Sequence, residues 1–96
     1  MSIPRHTQAD LERYIENGEP VGGFLTAVLC NDLMKAAQMA DEYNRPVLAD
    51  IARYIAYYAP LAAYGDFKKM KAWIQMVPGD RTGIVTQCIA WKHRPL

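Results

Sequence analysis

Ninety-six residues fit one domain, and a hydrophobic content of 51% is enough for a core, which excludes a disordered chain. Eleven basic and ten acidic residues leave a net charge of +1, which argues against a dedicated nucleic-acid binder. Two cysteines, Cys30 and Cys88, are too few for a disulfide framework, and both sit in apolar segments where a free thiol behaves as a small hydrophobe.

The balance hides an asymmetry. Residues 1–50 carry eight acids and four bases, a net of −4, and residues 51–96 carry two acids and seven bases, a net of +5. Either an acidic half folds against a basic one, which is the favoured reading, or the surface is dipolar and steers a partner. The opening MSIPRHTQADLERY is polar, unlike a signal peptide. No apolar run approaches the ~18–20 residues a bilayer span needs. The expectation is a soluble, cytosolic protein with no membrane partner.

Thr7 reads as an N-cap with Asp10 three residues on, so the first helix is expected over 8–17, with Leu11, Tyr14 and Ile15 on one face. Gly18 stops it, since glycine tolerates the left-handed conformation. After a turn at 19–23, Leu25, Val28, Leu29, Leu33, Ala36, Ala37 and Ala40 recur at helical spacing. One helix over 23–42, with Asn31 toward solvent, is the simpler reading; a break with Asn31 capping a second piece is the alternative. Within this apolar stretch Asp32 reads as a capping or hydrogen-bonding group.

Pro46 suits the first turn of the next helix, where its missing N–H costs nothing. Leu48, Ile51, Ala52, Ile55 and Ala59 form its stripe, and Pro60 ends it near Tyr58. Asp66 should cap a helix over 67–76, with Phe67, Met70 and Ile74 inward, Trp73 beside them, and Lys68, Lys69 and Lys71 on or near the other side. Pro78-Gly79-Asp80 reads as a turn. In the tail, β-branched residues invite a strand, but Ile84, Val85, Cys88 and Ile89 keep helical spacing, so a helix is favoured. The expected fold is all-α: one compact bundle of four to six short helices, with 8–76 as the helical core and 77–96 as a C-terminal extension.

Sites for chemistry are sparse. His6, Cys30, Cys88 and His93 lack metal-finger spacing, so no metal is expected. The lone serine, Ser2, lies at a chain end with no nucleophile elbow around it, and neither cysteine sits in a local Cys–His signature. Gly22-Gly23 opens a helix without a phosphate-loop pattern. No catalytic residue and no cofactor are assigned, and the expectation is a protein that is not an enzyme.

Aromatic side chains are the remaining signal. Tyr54, Tyr57, Tyr58 and Tyr64 cluster, with Trp73 following and Arg53, Lys68, Lys69 and Lys71 around them. Such rings bury large area at low entropic cost, so this region is the candidate contact face for a protein partner. Ordinary core rings are the competing explanation. Stacking on single-stranded nucleic acid is a lesser alternative, given the balanced charge.

Tyr14-Ile15-Glu16-Asn17-Gly18, Gly23-Phe24-Leu25-Thr26-Ala27-Val28-Leu29, Asn31-Asp32-Leu33, Ala40-Asp41 with Asn44, Ala59-Pro60 and Trp73 together resemble a group of small phage- and prophage-encoded proteins without assigned function. The resemblance covers about residues 8–76 and is most specific over GGFLTAVLCNDL. It supplies no catalytic residue. It implies a context in which small accessory proteins bind and block a host protein, anti-CRISPR and other anti-defence inhibitors among them. The resulting expectation is stoichiometric binding to a host protein or complex. A self-associating scaffold, a homodimer through the tail included, and a weak nucleic-acid binder through the basic half are the alternatives.

Overall fold

The computed structural model describes residues 3–95; Ser2 lies outside them. Among the described residues the chain forms α1 (Arg5–Asn17), α2 (Gly23–Leu29), α3 (Leu33–Met39), α4 (Leu48–Tyr58), α5 (Phe67–Gln75), α6 (Pro78–Gln87) and α7 (Ile89–Lys92), with no strand. Two 3₁₀ turns, Arg45–Val47 and Leu61–Ala63, lead into and out of α4. The all-α expectation holds, with more and shorter helices than the four to six anticipated.

The core is built where α1, α2, α4 and α5 meet. Leu11, Tyr14 and Ile15 of α1 face Leu25 and Leu29 of α2, Ile51 and Ile55 of α4, and Trp73 of α5. Trp73 is fully buried, and its indole N–H is shared between the carbonyls of Tyr14 at 3.0 Å and Ile15 at 3.2 Å. Tyr14 donates its hydroxyl to the Ala63 carbonyl at 2.6 Å. Both rings therefore enter the interior with their polar atoms satisfied, which is the condition for burying them. Burial pushes the Tyr14 hydroxyl pKa up, so it stays a donor at every pH of ordinary work.

Local signals place several ends as expected. Gly18 closes α1 at φ 70°. Pro60 follows the end of α4, and Asp66 accepts the Lys69 N–H at 2.7 Å to cap α5. The tail is helical.

Other expectations are corrected. Thr7 is not a cap: α1 begins at Arg5, and the buried Thr7 hydroxyl donates to Asn44 Oδ1 at 2.7 Å, tying α1 to the segment before α4. Pro78-Gly79-Asp80 is not a turn but the first turn of α6, with proline where no N–H is needed. The single helix over 23–42 is two. Asn31 takes a left-handed φ of 62°, its N–H bonds Val28 O at 3.1 Å, and the Asp32 N–H bonds Ala27 O at 2.9 Å. That is a Schellman end for α2. Asp32, rather than Asn31, then caps α3 by accepting the Lys35 N–H at 3.2 Å.

The break shifts the helical phase. Leu33, Met34 and Ala37 turn outward, and Ala36 alone is buried within α3. Phe67 sits at the first position of α5, beyond the end of the core, so the inward face is Met70 and Trp73 instead.

Residues 77–96 are not an appendage. Trp91 is buried in the core, with its indole N–H on Glu16 at 3.2 Å and the Arg94 guanidinium 3.9 Å above its ring. Arg94 also pairs with Glu12 at 2.9 Å and Glu16 at 3.6 Å. These pairs join the basic C-terminal segment to the acidic α1, so part of the charge asymmetry is spent inside the fold. Arg81, only 3% exposed, reaches the carbonyls of Asn17, Trp73, Ile74 and Met76 at 2.8–3.2 Å. One guanidinium thus closes the C-terminal ends of α1 and α5, where helix carbonyls lack partners and the dipole favours a cation.

Candidate protein-binding surface

The aromatic–basic region divides once folded. Tyr54 and Trp73 are core residues, and no partner can reach their rings. Tyr54 packs on Tyr58 at 5.4 Å between ring centroids and on Trp91 at 6.3 Å, and burial raises its hydroxyl pKa. Tyr58 and Tyr64 are half-buried. Arg53 and Tyr57 are exposed on α4, with Arg53 paired to Asp50 at 3.2 Å, and Lys68, Lys69 and Lys71 are exposed on α5. The predicted patch is therefore reduced to one free tyrosine and four cations. Inward-facing rings on amphipathic helices account for the loss: Trp73 enters the core with its indole N–H bonded, and Tyr54 enters on ring packing alone, its buried hydroxyl making no hydrogen bond.

A different feature emerges beside it. The turn that breaks α2 from α3 leaves a groove between the α2–α3 hairpin and the outer face of α4. Its wider part, about 390 Å³, is floored by Val28, Ala36, Ala49 and Ala52 and edged by Leu33 and Pro46. A second depression of about 280 Å³ continues it past Ile55 and Ala56 to Tyr64 and Gly65, sharing Val28, Asn31 and Ala52 with the first. Leu33 is 65% exposed on the lip, and the adjacent Met34 is 76% exposed.

Local sequence explains the groove. Ala49, Ala52 and Ala56 recur at helical spacing along α4 and lack the bulk to fill the space beside α3. Ala52 was expected in the core stripe, yet it is exposed here, because Ile51 and Ile55 take the inward positions. The sequence did carry a signal: α4 is apolar on a second face, which a helix packed on one side alone does not need.

The groove's polar groups are few. Asp32 and Arg45 stand at its edge, and the Arg45 guanidinium is held by the Ala40 carbonyl at 3.1 Å. Such a surface can seat apolar side chains and orient them, but it holds no nucleophile. Cys30 is adjacent in sequence, but burial pushes its thiol pKa up and nearby Asp66 and Asp32 push it further, opposite to what activates a thiolate. Among the described residues no group of three His, Cys, Asp or Glu side chains could hold a metal ion, and no helix is long and apolar enough to cross a membrane. A scan against protein-family models found no match, and searches of the curated proteins and of the solved structures found none either.

Proposed function

We propose that this chain is a small accessory protein of the phage type that acts by stoichiometric binding to a host protein in the host cytoplasm, with no reaction of its own. The partner's amphipathic helix would lie in the groove between the α2–α3 hairpin and α4. The groove carries this reading: an apolar trough with an alanine floor and a leucine lip suits a helix that inserts side chains at three- and four-residue spacing. The inhibitory role, anti-CRISPR or other anti-defence activity included, rests on the resemblance of residues 8–76 to phage- and prophage-encoded proteins.

Nucleic-acid binding is less favoured. Lys68, Lys69 and Lys71 could meet phosphates, but two of the rings needed as stacking platforms, Tyr54 and Trp73, lie in the core.

Capture from a host lysate tests the proposal. The wild-type chain should recover one partner at one-to-one stoichiometry. Ala52→Trp, which fills the groove from an exposed position, should lose that partner with its helical circular dichroism intact. Lys69→Glu should keep it. Recovery of no specific partner, or equal recovery by Ala52→Trp, would reject the groove as the binding site.

A further inference from the structure

Both sides of the α2–α3 hairpin are apolar. On the side away from the groove, Gly23, Ala27 and Cys30 floor a depression of about 330 Å³ between the side chains of Met39 and Phe67. Phe67 is 63% exposed and Met39 46% exposed, large apolar groups left in water beside a hole. Asp32 and Lys35 stand at its edge, the carboxylate that caps α3 and an ammonium from the first turn of that helix.

We propose that this face is where a second copy of the chain docks about a two-fold axis, each Phe67 entering the depression of the other copy. A two-fold contact uses the same patch twice, so the patch must complement itself. It needs a protrusion and a recess side by side, and charges of both signs at its edge. Phe67 is the protrusion and the Gly23–Cys30 floor is the recess.

The charges also fit. Neither Asp32 nor Lys35 joins an ion pair among the described residues, although Asp32 accepts the Lys35 backbone N–H. Two-fold docking sets each Lys35 against the other copy's Asp32. A partner edged with a single sign of charge would leave one of the two facing its own sign. Met39 supplies a wall that adapts. Its Cε lies 2.3 Å from where a Cβ on Gly23 would stand, so it is laid across a glycine and is free to move as a ring enters.

This goes beyond the host-binding reading and is independent of it. The depression and the groove have only Asp32 in common, so a dimer would keep two grooves open.

Sedimentation equilibrium from low micromolar to near-millimolar protein, with cysteine alkylation on the same samples, tests it. The mass should rise from 10.9 kDa toward twice that value. Cys30 alkylation should slow in step, and Cys88 alkylation should not. Phe67→Glu, at an exposed position, should remain at the monomer mass with unchanged circular dichroism and a constant Cys30 rate. Lys35→Glu should weaken association by about tenfold or more. Ala52→Trp should associate as the wild type does, which separates failure here from failure of the groove. A chain that stays monomeric throughout overturns the proposal, and so does a dimer that survives Phe67→Glu with Cys30 still open to reagent.

Discussion

Replacing Arg81 offers the sharpest test of how this fold is held. Its guanidinium makes five hydrogen bonds to four carbonyls, those of Trp73, Ile74 and Met76 at the end of α5 and of Asn17 at the end of α1. Arg81→Met keeps the apolar stem and removes every donor. The Trp73 carbonyl then loses both of its Arg81 bonds in a buried setting and keeps only the Met76 N–H at 3.3 Å, while the other three acceptors lie where water has partial access. A buried acceptor with no partner costs about 1–3 kcal/mol, so one left with a single long bond costs up to that, and a partly wetted one costs less. The desolvation of the guanidinium is recovered when it is deleted, so the net loss should be about 2–4 kcal/mol. Against a total of about 5–15 kcal/mol this is a large fraction.

Urea unfolding followed by far-ultraviolet circular dichroism would read it as a lower midpoint at constant slope. Arg81→Lys should fall between the two, because a point ammonium cannot reach carbonyls on two helix ends at once. Gly18 supplies a coupled check. A Cβ there would stand 2.4 Å from the guanidinium, and the residue also needs φ 70°. Gly18→Ala should cost more in the wild type than in an Arg81→Ala background, where only the backbone strain of roughly 1–2 kcal/mol remains. An Arg81→Met variant within about 0.5 kcal/mol of wild type would refute the reasoning.

Three further outcomes are expected. Trp73→Phe should destabilise by about 1–3 kcal/mol through the lost indole N–H and the void it leaves, whereas Leu29→Asp, which buries an unpaired carboxylate, should abolish the thermal unfolding transition altogether. The Asp41 carboxylate accepts the Asn44 and Tyr43 backbone N–H groups, which hold its pKa below the usual value, so its contribution is present above the ordinary carboxylate range and is lost as pH falls through the lowered pKa; acid titration of stability should lose that component in Asp41→Asn. Amide hydrogen exchange should be faster in α3 than in α1 and α5, and equal rates in the three would contradict their unequal anchoring.

What could be read beforehand depended on how local the cause was. Gly18, Pro60 and Asp66 act on the backbone within a turn of themselves, and each marked a helix end where it was expected. The break at Asn31 was visible as an option, but the apolar spacing continued across it. Two short polar side chains decided it, one ending α2 and the next starting α3. Thr7 looks like a cap in isolation, and its true partner, Asn44, is 37 residues away. Arg81 gave no warning at all, since burying a lone cation requires two helix ends to converge on it, which no local pattern encodes. Tyr54 and Trp73 were ambiguous in kind: the chemistry that makes a ring good at an interface also makes it good in a core.

The distribution of polar ties bears on which part of the molecule can meet a partner. Side-chain bonds from Thr7, Tyr14, Trp73, Arg81 and Arg94 each join segments far apart in sequence, and none of them ends in α3. That helix is held by the burial of Ala36, the Asp32 cap and the buried Ala40 that follows it. Few side-chain bonds would have to break for α3 to shift relative to the rest of the core. On the proposed reading, a groove wall with few such ties would adjust to the side chains of a docked helix, and α4 opposite would set their spacing. The groove thus lies between α3, which none of these long-range side-chain bonds reaches, and α4, whose Ile51, Tyr54 and Ile55 are buried in the core, and the ties elsewhere carry stability that the apolar side chains left in water around α3 do not contribute.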